Sequence, residues 1–246
     1  MKAFFNHLLI QFRMDMREKG TLLTFYAVPL VFYGVMGAVF SSINPDSKQT
    51  LAASMAIFAI TMGAVLGMPV PLVKLREGGV LRAFEVNGIP GWAVLLTHAF
   101  SALMHLSIVA LIIYFTAPVL FGAAIPANTP LYFLILSFLL FASIMLGLLL
   151  GVTAKNQASA TMLSQAVFLP SLLLGGLMFP ASMLPEPFLW LGRLYPATHA
   201  MQAFRAWAYG QPQEIAPVVS LLVIAAIGCA AAMFAVWRFR VLRKTI

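Results

Sequence analysis

Six long stretches of this chain contain no Asp, Glu, Lys or Arg, and this feature most limits how the chain can fold. They are residues 21–40, 51–73, 92–115, 131–152, 158–178 and 216–237. A helix of about 20 apolar residues crosses the ~30 Å hydrocarbon layer of a bilayer and satisfies its own backbone hydrogen bonds. With 62% hydrophobic and 9% charged residues, the chain has too little polar surface for a soluble globule. We therefore predict an all-α membrane protein with six transmembrane helices in a single domain over residues 1–246.

A proline-rich segment separates the fifth and sixth stretches. It reads FPASMLPEPFLWLGRLYPATH over residues 179–199, and its longest proline-free run is residues 188–195. A helix of that length rises only about 12 Å, too little to cross. The segment is nevertheless too apolar for a solvated loop. We expect residues 179–210 to form a re-entrant helical hairpin that enters the outer leaflet and returns.

The positive charges set the orientation, because Lys and Arg accumulate in short cytoplasmic segments. Six spans with both termini inside leave only Lys48, Arg193 and Arg205 outside, and the other 12 of the 15 Lys and Arg residues inside. The net charge of +8 then lies at the membrane edges, where it meets anionic lipid headgroups. The expected partner of this charge is membrane lipid and not nucleic acid. We predict a multi-pass protein of the bacterial inner (cytoplasmic) membrane.

The pattern of residues 1–20 predicts an amphipathic helix lying in the membrane interface, with a simple charged leader as the alternative. Gly20 is expected to end it. Its apolar face is predicted from residues at helical spacing, namely Phe5, Leu8, Leu9, Phe12 and Met16.

The longest cytoplasmic connection is predicted at residues 74–91, with sequence KLREGGVLRAFEVNGIPG. Glycines break it on both sides of residues 80–86, which leaves about two helical turns. On that short helix Leu81, Phe84 and Glu85 share one face. The composition allows two interpretations, a docking surface for a cytoplasmic partner or a linker that lies against the membrane.

Glycines and prolines predict close helix contacts and bends within the spans. The pairs Gly63 with Gly67 and Gly147 with Gly151 have the G-x-x-x-G spacing that lets helix backbones approach closely. Pro69 with Pro71 is expected to kink or end the second span.

Polar residues inside the membrane are candidates for function. The third span places His98, Ser101 and His105 on one face; they are candidates for a proton or substrate contact in the pore, or for packing by hydrogen bonds. With no further ligand in this pattern, no metal site is expected. The fifth span carries a second polar set, which is predicted to face the substrate path or a dimer seam: Thr161, Ser164, Gln165 and Ser171. After the hairpin, His199, Gln202 and Arg205 suit either an outer gate or a headgroup anchor.

Two segments together resemble the ABC-2 type transporter permeases. In the inner loop the similarity is carried by Arg76, Glu77, Gly79, Leu81 and Pro90. In the segment FLPSLLLGGLMFPASMLPEPFLWLGRLYPATHAMQAFRAW it is carried by the order of Pro170, Gly175, Phe179, Pro180, Met183, Leu184, Pro185, Leu194 and Pro196. The resemblance extends over essentially the whole chain.

The resemblance implies a half-transporter. Two such permeases, identical or similar, would form a dimer, and a separate ABC ATPase would dock on each inner loop and bind ATP and Mg. The chain itself lacks the G-x-x-x-x-G-K-[ST] motif, so no enzyme activity and no cofactor are expected in it. The short inner helix becomes the coupling helix, whose expected contact residues are Arg76, Glu77, Leu81, Arg82, Phe84 and Glu85. The expected outer gate comprises Phe179, Pro180, Met183, Leu184 and His199.

Other functional classes fit the sequence less well. An ion-coupled transporter normally keeps an acidic residue in the membrane, and none of the six predicted spans contains Asp or Glu. An intramembrane hydrolase needs a nucleophile with a base or metal ligands, and the sequence has neither H-E-x-x-H nor a pair of acids within a span. The predicted function is ATP-driven export of a hydrophobic or amphiphilic substrate such as a drug, an antibiotic peptide or a lipid. A permease for a lipid-linked glycan and a non-transporting membrane scaffold remain alternatives.

Overall fold

The computed structural model describes residues 2–43, 45–88, 90–177 and 184–243, and every regular element in that part of the chain is helical. The all-α prediction is confirmed. The prediction of six spans is confirmed by six helices that are long and apolar enough to cross a membrane. We name them span one (Lys19–Ser42), span two (Leu51–Glu77), span three (Gly91–Phe121), span four (Thr129–Thr153), span five (Gln157–Leu174) and span six (Pro217–Val241).

The N-terminal helix covers Lys2–Asp15 and packs against span three. The prediction that it ends at Gly20 is wrong: Glu18 has an extended backbone and Gly20 already lies in the first turn of span one. The Thr21 hydroxyl donates a 3.0 Å hydrogen bond to the Glu18 carboxylate at this start. The break between the N-terminal helix and span one therefore lies before Gly20, between Asp15 and Lys19.

The protein-facing side of the N-terminal helix also differs from the predicted apolar face. Leu8, Phe12 and Asp15 are half-buried, whereas Leu9 and Met16 are exposed. The side chain of Phe5 lies outside the described part of the chain. The hydrogen bond between Ser101 of span three and the Asp15 carboxylate selects which face of the helix turns inward.

Span two lies at the centre of the bundle, with 83% of its most apolar stretch buried, against 22% for spans one and five. Its helix passes through a π-helical segment at Gly63–Gly67 and continues through Pro69–Glu77. Pro69 would crowd the carbonyl one turn earlier in a regular α-helix, and that carbonyl lies in the wider π-helical segment. The two prolines therefore do not end the span, and the first residues of the predicted inner loop are helical.

Short helices flank the spans. On the predicted inner side a helix covers Val80–Val86, the range that the glycines indicate. On the predicted outer side a 3-10 helix covers Pro45–Gln49, and two helices at Glu186–Gly192 and Pro196–Ala203 precede span six. We call the last two the first and second hairpin helices.

Glycines make the close contacts between spans two, three and four. A Cβ atom at Gly147 would overlap the backbone oxygen of Ala64, and one at Gly63 would overlap the Leu106 side chain. Gly151 packs against Leu72 in the same way. Both G-x-x-x-G pairs thus lie where helices approach closely.

Candidate functional site

The short inner helix is held to the bundle by the apolar residues that were expected to face a partner. Leu81 is only 9% exposed and belongs to the main hydrophobic core, and Phe84 packs against that core. The resemblance implies that Leu81 and Phe84 contact the ATPase, whereas in the structure their burial stabilises the helix against its own chain. The burial of Leu81 and Phe84 shows that the short inner helix is anchored to the bundle and is not a free loop.

The opposite face of the short inner helix is open. Val80, Ala83 and Val86 are exposed, and Val86 is 81% exposed. Their spacing of three residues places them along one side of the helix. The side chains of Arg82 and Glu85 lie outside the described part of the chain.

Arg76 joins the inner end of span two to the turn between spans four and five. Its guanidinium donates hydrogen bonds to the carbonyl oxygens of Val152 (3.1 Å), Ala154 and Lys155 (3.3 Å). These carbonyls end span four, where a helix lacks internal donors and favours a positive charge. Arg76 thus acts as a side-chain cap for a neighbouring helix, a role its motif did not reveal.

Glu77 makes a second link at the same place. Its carboxylate accepts a 2.9 Å hydrogen bond from the Gln157 side chain in the first turn of span five. Arg76 and Glu77 therefore connect the segment that leads into the short inner helix with spans four and five.

The polar face of span three is completed by a residue from outside the spans. The Asp15 carboxylate accepts hydrogen bonds from Ser101 (2.5 Å) and from Gln11 (2.7 Å), and it lies 3.8 Å from Nε2 of His105. Sequence reasoning placed His98, Ser101 and His105 on one face but missed this acid. A signal was available, because Gln11 and Asp15 lie one helical turn apart on one side of an amphipathic helix.

His105 lies at the junction of three elements. Its Nδ1 is 2.7 Å from the Tyr26 hydroxyl of span one, and its ring stacks on Phe12 at a centroid distance of 4.4 Å. If the tyrosine donates to Nδ1, the neutral imidazole carries its proton on Nε2 and directs it toward Asp15.

Asp15 remains an anion at neutral pH. Burial by itself would raise the pKa of its carboxyl group, but the contact with His105, the hydrogen bonds from Ser101 and Gln11, and the charge of His98 together lower the pKa below its ordinary value. Within the described residues, no group of three or more His, Cys, Asp or Glu side chains is arranged to hold a metal ion.

The polar set of span five divides between two faces. Ser164 and Ser171 are buried within the subunit, whereas Thr161 and Gln165 are exposed. The Thr161 hydroxyl donates to the carbonyl of Gln157 within its own helix. The outward face of span five therefore presents an amide group among apolar side chains, of which Met162 is 73% exposed.

The second hairpin helix carries His199, one of the predicted gate residues. His199 is buried, and its Nε2 donates a 2.8 Å hydrogen bond to the carbonyl oxygen of Arg193. Burial and the charge of Arg193 lower the pKa of His199, although the hydrogen bond opposes this shift. Leu184 is half-buried at the start of the described hairpin, and Phe179, Pro180 and Met183 lie outside the described residues.

Comparisons with known proteins agree on one family. A family model described as ABC-2 type transporter matches residues 6–209. The chain is 29% identical over 164 residues to ABC transporter G family member 20 of Dictyostelium discoideum, covering 66% of this chain and 22% of that protein. It is 28% identical over 189 residues to inner membrane transport permease YhhJ of Escherichia coli (strain K12), covering 76% of this chain and 50% of that protein. The matched part is thus half or less of each relative's length.

Proposed function

Because the chain belongs to the ABC-2 type transporter family and is a transmembrane subunit of an ABC transporter, we propose that it exports a hydrophobic or amphiphilic compound. The energy would come from ATP, bound with Mg and hydrolysed by a separate ABC ATPase subunit. The proposed location is the bacterial inner membrane with both termini in the cytoplasm. The excess of Lys and Arg on the inner side supports this orientation.

The exposed face of the short inner helix carries the proposal for ATPase docking. A helix anchored by Leu81 and Phe84 presents Val80, Ala83 and Val86 outward, at the end of a span that reaches the centre of the bundle. Exposed apolar side chains arranged along one side suit a groove on a partner protein. We assign the contact to this face and not to the buried Leu81.

The links of Arg76 and Glu77 suggest how docking would act on the membrane part. ATP-driven closure of two ATPase subunits would press on the short inner helices. Because Arg76 and Glu77 bind the turn between spans four and five, this pressure would tilt spans two, four and five together. The π-helical segment at Gly63–Gly67 supplies a point at which span two can bend.

The outward faces of spans one and five support a dimer, with either an identical or a similar second permease. Both spans are largely uncovered in the single subunit. The Gln165 amide on the face of span five would be costly against lipid tails. A second subunit would provide a hydrogen-bonding partner for it, and the seam would then line the substrate path.

The walls of the bundle support the proposed class of cargo. The buried side chains of the described spans are mostly aliphatic and aromatic, and hydroxyl groups are their main polar groups. Such walls suit a drug, an antibiotic peptide or a lipid better than a small hydrophilic solute.

Docking and transport can be tested together by co-expressing the chain with the ABC ATPase encoded beside it. We expect the wild-type chain to co-purify with the ATPase and to stimulate ATP hydrolysis, and inverted vesicles to accumulate a fluorescent hydrophobic dye on addition of ATP. The double variant Ala83→Arg with Val86→Asp should lose both the association and the uptake. Glu186→Arg, at an exposed position on the first hairpin helix, is the matched control and should behave as wild type. Retention of the ATPase by the double variant would contradict this docking site.

A further inference from the structure

A small cleft opens between the hairpin helices, the end of span five and the loop before span six. Its polar lining comes from both hairpin helices and from the chain that follows them. The lining residues that matter here are Arg193, Thr198, Gln202, Arg205 and Glu214. The transport proposal uses none of these as binding groups.

The loop that closes this cleft is held in place by hydrogen bonds. The backbone N–H of Glu214 donates to the Gln202 side-chain oxygen at 3.1 Å, and the backbone N–H of Gln211 donates to the carbonyl of Arg205 at 2.7 Å. The positions of Arg205 and Glu214 are therefore set by the backbone around them.

The lining of the cleft carries more positive than negative charge. Two guanidinium groups face one carboxylate, and among the described residues no carboxylate oxygen lies within 4.0 Å of either guanidinium. The Nε of Arg205 is fully enclosed and has no hydrogen-bond partner in the described part of the chain. An arginine held in this way retains its charge, and an enclosed charged donor without a partner is costly.

We propose that this cleft binds the phosphate group of an anionic lipid headgroup at the outer face of the membrane. The planar guanidinium offers several donors in a geometry that matches phosphate oxygens. The cleft has a volume of about 20 Å³, enough for one oxygen-sized group. A phosphate oxygen enters beside Arg205, while the rest of the headgroup stays at the mouth near Arg193.

Trp190 places this cleft at headgroup depth. The Arg193 guanidinium lies 4.3 Å above the Trp190 ring, and this tryptophan is 62% exposed. Exposed tryptophans concentrate at the membrane–water interface. The site depends on the hairpin lying at the outer membrane surface and does not depend on transport or on ATPase docking.

Native mass spectrometry of the purified full chain tests the site. The protein is exchanged into detergent with equal amounts of phosphatidylglycerol and of diacylglycerol, which has the same tails but no phosphate. We expect wild type to retain phosphatidylglycerol several-fold more than the double variant Arg193→Gln with Arg205→Gln. Lys48→Gln, which removes the other basic residue of the outer side, is the matched control and should retain as much as wild type.

A thermal-shift series separates lipid from soluble phosphate. Phosphatidylglycerol should raise the Tm of wild type and of the Lys48 variant by several degrees, whereas sodium phosphate at matched ionic strength should not. A rise with sodium phosphate that the double variant loses would assign the site to a soluble phosphate compound and overturn the lipid assignment. Equal lipid retention by wild type and the double variant would overturn the site itself. If the Gln variants do not fold, Arg193→Lys with Arg205→Lys keeps the charge, and the proposal then requires weaker retention than wild type.

Discussion

The Ser101 hydroxyl donates a 2.5 Å hydrogen bond to the carboxylate of Asp15 and so attaches the N-terminal helix to span three. The same carboxylate oxygen lies 3.8 Å from His105, whose other ring nitrogen contacts Tyr26 of span one. Three elements therefore meet at one imidazole. A helix that the sequence places only at the lipid surface is by this joint part of the bundle.

Removing the Asp15 charge should loosen this joint. Asp15→Asn keeps the shape of the side chain but replaces a charge-assisted hydrogen bond with a neutral one and removes the attraction to His105. We expect a loss of about 1–3 kcal/mol, seen as a lower Tm in detergent. Glu18→Gln is the control, because its amide oxygen can still accept the hydrogen bond from Thr21 and the ion pair that it loses, with Lys74 at 3.6 Å, is exposed and contributes about 0–1 kcal/mol. An equal fall in Tm for the two variants would show that the Asp15 contact contributes no more to stability than an exposed ion pair.

The spans and the short inner helix follow from the sequence because their causes are local. A charge-free stretch of membrane length and a pair of glycines on either side of residues 80–86 act within one segment. The prediction for the end of the N-terminal helix is wrong because Gly20 is only one of the influences on where that helix ends. The hydrogen bond between Thr21 and Glu18 starts a new helix before the glycine is reached.

The functional residues were harder to predict because their partners are distant in the chain. Leu81 and Phe84 on one face indicate an apolar surface, but the sequence does not say whether a partner or the bundle covers it. Asp15 and Ser101 lie 86 positions apart, so only the packing of two helices reveals their contact. Periodicity assigns a residue to a helix face, and tertiary structure decides what that face meets.

Acidification should destabilise the protein through His199. Burial lowers the pKa of His199 in the folded protein below the ordinary value of 6.5, so the unfolded chain binds the proton more readily. Stability is therefore fully present above about pH 6.5 and decreases as the pH falls from there toward the folded-state pKa. His199→Gln, which can still donate to the Arg193 carbonyl, should have a Tm that depends less on pH between 7 and 5.5. A Tm that falls equally in both proteins would assign the pH dependence to other groups.

Loss of the Arg76 cap should destabilise the inner ends of spans four and five. Arg76→Met leaves the carbonyls of Val152 and Ala154 without their donor, and we expect a cost of about 1–3 kcal/mol. Arg76→Lys should recover only part of it, because an ammonium group cannot reach several carbonyls as a guanidinium does. The measurement is Tm of the permease alone, with the exposed Lys74→Met as control. If the Tm is unchanged but the ATPase no longer co-purifies with the variant, Arg76 instead contacts the ATPase directly.

The contact of Gly147 with Ala64 gives the sharpest test of the packing between spans four and two. A methyl group at Gly147 would overlap the Ala64 backbone oxygen, and a backbone atom cannot rotate away as a side chain can. Gly147→Ala should therefore force the two spans apart at a cost of about 1–3 kcal/mol, and it should lower Tm by about 2–12 °C. Gly34→Ala in span one is the matched control, because a Cβ there meets nothing within 4 Å and alanine favours the helix. Equal Tm values for the two variants would mean that spans two and four are not in this close contact.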